Sequence, residues 1–247
     1  MTTTPFGTWM GGCRKAAAPS TLALASLVAA APAAAGSFQV NPVQLNLPGD
    51  RNSLSMTVAN TDNQALAIRA KTLRWTQKDG HDVYEPTDDV IVSPPIFTVP
   101  AAGKQLIRVG LRSRTGATAY RVILEEIPRP QKGAVNVALH LNLPLYLLAA
   151  GDAKPVMRWA MWQDASGTTI VEGTNTGAQR LQVSEISAAI GSGAPVSLSK
   201  KVGVILPQSA RQWTVAKRAD LRPGTPLVLH IRTANGPMQA QVVPLKR

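Results

Sequence analysis

An all-β protein of two β-sandwich domains is the fold the sequence predicts, and three observations predict it. Apolar and polar residues alternate in short runs, and Gly, Pro, Asn and Asp close those runs. No segment after residue 35 keeps a 3.6-residue apolar stripe over three turns. Short strands with turn signals every 8 to 12 residues are the pattern of a sandwich. The chain has 247 residues. Setting the first 35 aside leaves about 212, which suits two domains of roughly 100 each.

The strands follow in order. Phe38 and Val40 share one parity; Val43, Leu45 and Leu47 share the other, with Pro42 between them. Proline cannot donate to a sheet ladder, so Pro42 marks either a first strand that resumes with its faces exchanged or a simple loop. Leu54, Met56 and Val58 come next, then Leu66, Ile68 and Ala70. Asp79-Gly80, within an acidic patch of Asp79, Asp82, Glu85, Asp88 and Asp89, reads as a solvated hairpin turn. Ser93-Pro94-Pro95 holds a candidate cis X-Pro bond. Ile107, Val109 and Leu111 alternate, as do Tyr120, Val122 and Leu124. Further on come Leu181 with Val183, Val202 with Val204, and either Val228 with His230 or Leu229 with Ile231. The turn-rich run from Ala149 to Pro155 is the expected boundary, giving domains at 36–149 and 150–247.

Residues 1–35 read as a signal peptide. Arg14 and Lys15 precede an uncharged, alanine-rich stretch from Thr21 to Ala35, which ends in small residues before Gly36. A membrane anchor is the other reading, for which the stretch is short and poor in large apolar residues. Cys13, the single cysteine, lies ahead of the apolar stretch. Cleavage would remove it, and with it any disulfide framework, thiol catalysis or thiolate metal site. Export makes nucleic acid the weakest explanation of the protein's charge. The formal net charge is +12 and falls to about +10 without Arg14 and Lys15. The basic residues form no run of five or more and read mostly as a solvated surface.

One run stands apart. From Val135 to Tyr146 the sequence is VNVALHLNLPLY, with Val135, Val137, Leu139, Leu141, Leu143 and Leu145 on one parity. Alternate side chains of a strand point to opposite faces, so six aliphatics form one row and Asn136, His140 and Asn142 line the other face. Such a strand is either a core strand or an edge kept for a partner, since a bare apolar edge aggregates.

In this run and others the sequence resembles the PapD-like periplasmic chaperones of chaperone–usher pili. Ser93 to Pro100 with Gly103 and Ile107-Arg108-Val109 is similar to one family stretch, and Tyr120 to Pro128 to the strand that ends in "EIP". Val58-Ala59-Asn60, Asn175-Thr176-Gly177 and Ile205-Leu206-Pro207 are further landmarks in the right order. The resemblance covers most of the chain after residue 35. It implies two immunoglobulin-like domains in a boomerang and a non-enzymatic chaperone that needs no cofactor. Such a chaperone lends its alternating strand to an incomplete pilus subunit and delivers that subunit to an outer-membrane usher. Matched to the motif, the donor residues are Val135, Val137, Leu139 and Leu141. Self-association of the free protein through that row is a further expectation.

The chain also departs from the family's best-known branch. The two basic residues that hold the subunit's terminal carboxylate are Gln44 and Pro144 here. The hairpin places Arg121 near Leu141 to Leu143, so Arg121 is either a replacement anchor or an ordinary surface or interdomain arginine; Arg108 stands in reserve. Glu126 matches a carboxylate that ties the two domains, but its usual arginine partner is Leu148. These departures resemble the archaic, spore-coat-type branch. The rival reading is an exported surface or carbohydrate-binding, adhesive protein, which wants exposed aromatics that a 4% aromatic content supplies sparingly. Catalytic and metal chemistry find no footing: His81, His140 and His230 are far apart, and the acidic patch lacks calcium-loop order.

Overall fold

The computed structural model describes residues 38–114, 116, 118–128, 137–149, 151–191, 193–215 and 221–247. The leader, Cys13 and Val135 lie outside the described residues. Every described element is a strand.

The first sandwich closes two sheets over one core. One sheet runs β1 (Phe38–Asn41), β3 (Ser53–Asn60), β8 (Lys104–Leu111), β6 (Val90–Ser93). The other runs β2 (Leu45–Leu47), β10 (His140–Leu147), β9 (Ala119–Glu126), β4 (Leu66–Lys78), β5 (His81–Pro86), with β7 (Ile96–Val99) also on β4. The parity change at Pro42 is a change of sheet: β1 pairs with β3, whereas β2 pairs with β10. Phe38 from one sheet and Leu45 and Leu47 from the other then fill the same core. Val43 does not join them and is 68% exposed. The peptide bonds Asn41–Pro42 and Ser93–Pro94 are both cis.

The second sandwich pairs β16 (Ser209–Val215), β12 (Thr169–Asn175), β11 (Met157–Gln163) and β19 (Leu245–Lys246) in one sheet. The facing sheet runs β14 (Val196–Ser199), β13 (Leu181–Ile190), β17 (Leu227–Thr233), β18 (Gly236–Val242), with β15 (Gly203–Ile205) on β13. Leu229 and Ile231 face the core, which decides the parity the sequence left open. At β15 the pattern misleads. Gly203 and Ile205 point inward, and Val202 and Val204 do not.

Each sandwich is pinned by a buried asparagine at a strand end. The Asn60 amide donates to the carbonyls of Gln64 and Pro100 at 2.7 and 3.0 Å. The Asn175 amide donates to the Gln179 carbonyl at 2.7 Å, while its Oδ1 accepts from Gly177 N–H at 3.0 Å. A buried polar group is tolerated because its hydrogen bonds are made. Core packing supplies most of the stability. Leu145 is fully buried in the first core. Leu145→Ala is therefore expected to cost about 2–5 kcal/mol in urea unfolding; a loss under about 1 kcal/mol would contradict the packing.

Both sandwiches belong to one compact unit. Along β4 the inward residues Leu66 and Ile68 are even-numbered, yet Trp75, on the opposite face, is only 2% exposed. The second sandwich covers it. Trp75, Ala119 and Tyr146 pack with Leu206 in a small core of their own, joined by Val204 and Leu148.

Candidate functional site

The aliphatic row lies on β10 and just before it. Its exposure falls steadily along the chain. Val137 is 52% exposed, Leu139 and Leu141 are half-buried against the first core, and Leu143 and Leu145 are buried in it. Leu143 and Leu145 are core, whereas Val137, Leu139 and Leu141 are not sealed inside.

β10 has unequal neighbours. On one side it is antiparallel to β9 from His140↔Glu125 to Tyr146↔Ala119. On the other side β2 pairs only with Leu145–Leu147. Glu126 N–H donates to the Leu139 carbonyl, and Leu147 N–H to the Thr118 carbonyl. Odd-numbered residues therefore turn their backbone groups toward β9, and the even ones turn theirs away. His140 and Asn142 thus present backbone groups along an edge that β2 does not reach. Two N–H groups and two carbonyls are available there; Pro144 has no N–H, and its carbonyl faces Leu45 at the start of the β2 ladder.

The two positions that lack basic residues fall side by side. Leu45 pairs with Leu145, so Gln44 precedes β2 next to Pro144, and Pro144 pairs with Arg121 one strand further over. Arg121 thus sits one residue past the Leu141–Leu143 stretch expected for it. All three lie on the outer face of this sheet, opposite the core residues Leu45, Leu145 and Val122. Arg121 stands one strand spacing, roughly 4.8 Å, across the sheet from Pro144. Arg121 lies over Trp75, its guanidinium carbon 3.9 Å from the ring centroid, with Tyr84 at 5.5 Å. Its Nε is buried and has no hydrogen-bond partner. Arg108 is not brought to this place. It stands exposed on the outer face of the other sheet, between Ser55 and Ser93.

Among the described residues Glu126 makes no bond to the second sandwich; its Oε2 accepts from the Leu139 N–H at 3.0 Å and holds the start of the row. The tie between sandwiches comes from the acidic hairpin, which the sequence reading left in solvent. Asp79 and Gly80 both take positive φ, 50° and 79°, the backbone of a two-residue hairpin turn. The turn is docked: Gly80 is buried and its carbonyl accepts from Gln212 N–H at 3.0 Å. Asp82 accepts from Trp75 Nε1 at 2.9 Å, Gln77 Nε2 at 2.8 Å and Arg211 Nη1 at 2.6 Å. Gln77 also bridges the Val204 carbonyl and the Leu206 N–H. Burial alone would push the Asp82 carboxyl up. The bonds from Arg211, Gln77 and Trp75 outweigh it and hold the group below its ordinary 3.8.

Sequence reasoning also missed Arg180, just ahead of β13. Its guanidinium carbon lies 3.9 Å from the Tyr146 ring centroid, and Tyr146 is 5.7 Å from Trp75. Arg180 Nε, like that of Arg121, is buried without a partner. The surrounding signal was too local to read: an arginine between a landmark asparagine and a strand looks like any surface base.

Two immunoglobulin-like sandwiches, the first with one half-covered aliphatic strand, define the class: an all-β, two-sandwich protein. Residues 37–148 match the family described as pili and flagellar-assembly chaperone, PapD N-terminal domain. Among solved structures the protein is similar to a chain of the CsuC–CsuE chaperone–tip adhesion subunit pre-assembly complex of archaic Csu pili from Acinetobacter baumannii. Identity there is 18%, covering 85% of this chain and 99% of that one, with a TM-score of 0.64. The class 5 fimbriae chaperone CfaA is 17% identical over 85% of this chain and 100% of its own, TM-score 0.57. A chain of the Salmonella enterica SafA pilin–SafB chaperone complex is 13% identical over 83% and 95%, TM-score 0.56. No curated protein matched.

Proposed function

We propose that the protein is a periplasmic, non-enzymatic assembly chaperone of the archaic type. It binds pilus subunits by donor-strand complementation, stabilises them and delivers them to an outer-membrane usher. The observation that carries the reading is the edge of β10 from His140 to Leu143, open beside a row of aliphatics that only partly enters its own core. A subunit strand laid there would take its register from His140 and Asn142. Val135, Val137, Leu139 and Leu141 would fill its groove, each aliphatic contributing roughly 1.5–3 kcal/mol before ordering costs. Two of the similar structures are chaperone complexes, one with a tip adhesion subunit and one with a pilin. Domains at 36–149 and 150–247 behind a cleaved leader complete the reading.

The adhesive or carbohydrate-binding alternative finds less support. Trp75, Trp162 and Trp213 are buried, and Tyr84 is the only aromatic among the exposed large hydrophobics described. Co-expression with subunits encoded beside this chain, followed by affinity capture, tests the proposal. A soluble one-to-one complex is expected; subunits that stay insoluble or unbound refute it. Arg121 is the proposed anchor for the subunit terminus, so Arg121→Ala should weaken capture about tenfold or more, and unchanged capture removes it from the site.

A further inference from the structure

We infer that Arg180 of the second sandwich is a second arm of the carboxylate anchor, so both sandwiches hold the end of the bound polypeptide. The inference rests on the reading that β10 receives a strand.

Geometry first fixes where that strand must end. β2 occupies the edge of β10 at Leu145–Leu147, so a strand added along His140–Leu143 meets Leu45 and can go no further. A chain end or a sharp turn has to lie beside Pro144. That place sits next to Arg121 in the sheet, and Tyr146, the next outward residue of β10, carries Arg180 over its ring.

Both guanidiniums are prepared for an anion. Each lies over an aromatic ring and spends one N–H on a tyrosine hydroxyl, Arg121 on Tyr84 at 3.4 Å and Arg180 on Tyr146, which leaves the other N–H groups of each fork to a planar carboxylate. Each has a buried Nε with no acceptor, an arrangement that ordinarily costs free energy unless a partner arrives. Among the described residues no carboxylate pairs with either. Asp82 is committed to Arg211, and Asp89 to Arg74 at 2.6 Å. Both cations bear on the Tyr146 hydroxyl, which Arg180 hydrogen-bonds while burial pushes its pKa up. Arg180 is also held in place from behind, because the preceding Gln179 carbonyl accepts from buried Asn175.

Two positive groups at this end select a carboxyl terminus over an amino terminus. The added strand then runs parallel to β10, with its last residue beside Pro144. The consequence is a specificity device: a polypeptide whose final strand continues past this point loses the contact.

The probe is the captured subunit in two forms, one with its natural end and one extended by Gly-Ser-Gly. With the natural end, Arg180→Ala should lower affinity about tenfold or more, and the extension should cost the unmodified protein a similar factor. With the extended subunit, Arg180→Ala should have little effect. Arg180→Lys keeps the stem over Tyr146 and the charge but not the fork; it should recover part of the loss and serves where the alanine variant folds poorly. Equal losses for both subunit forms, or no loss for either, overturn the inference. If the unmodified protein captures no subunit, or capture survives Leu141→Glu, the chaperone reading falls and takes this inference with it. If Leu141→Glu abolishes capture but Arg180 variants do not discriminate between termini, only the inference falls.

Discussion

Leu141→Glu is expected to reduce subunit capture by more than about 100-fold while the protein stays folded. The lost burial is worth roughly 1.5–3 kcal/mol, and a carboxylate forced into an apolar groove adds a desolvation penalty. The fold tolerates the change because Leu141 is only half-buried at the rim of its own core, leaving the new charge a path to water. Leu139→Glu should behave alike. Two controls bracket the claim. Asn142→Glu lies on the other face of β10 and should leave capture within a few-fold. Leu143→Glu buries a charge at a position 5% exposed and should unfold the first sandwich. Solubility, thermal melting and capture measured on the four variants decide the matter. Capture that survives Leu139→Glu and Leu141→Glu would remove the row from the site.

Asp82→Ala is expected to cost about 3 kcal/mol, because it leaves Arg211 without its counter-ion in a place largely closed to water. Trp75 Nε1 and Gln77 Nε2 lose an acceptor at the same time. Asp82→Asn keeps an oxygen for Trp75 and Gln77, loses only the charge, and should cost about half as much. Urea unfolding followed by tryptophan fluorescence reads both. Trp75 is buried against Leu206 of the second sandwich, so loosening the docking changes its emission. The same pair sets a pH dependence. The folded-state carboxyl lies below its ordinary 3.8, so its stabilisation is complete above the unfolded value and is lost as pH falls through the folded one. Wild type should therefore lose stability below about pH 4 in a step that Asp82→Asn lacks. Identical acid limbs in the two proteins would show that Asp82 does not tie the sandwiches.

Much of the fold was legible because strand alternation reports a buried face directly. Phe38, Met56, Ile68, Val122 and Leu181 all point where the period of two puts them. What was not legible involves a second covering surface. Trp75 and Tyr146 sit on outward faces, and only the arrival of Leu206 buries them. Val202 and Val204 drew the pattern to the wrong parity because Gly203, too small to register as apolar, takes the inward place beside Trp213 and Arg211. The acidic hairpin looked solvated because its partner, Arg211, is 129 residues away. Short-range spacing gave Arg121 to within one residue, through the hairpin with Pro144. Arg108 went astray because sequence order does not tell which sheet of a sandwich a strand joins. Arg180 depends on a contact between sandwiches and had no local signature.

Amide hydrogen exchange reads the backbone of β10 residue by residue. His140 and Asn142 N–H groups should exchange quickly in the free protein and become strongly protected when a subunit binds. The Leu141 and Leu143 amides, turned toward β9, should be protected in both states. Protection of His140 and Asn142 before any subunit is added, or no gain once it is bound, would contradict a strand added at this edge.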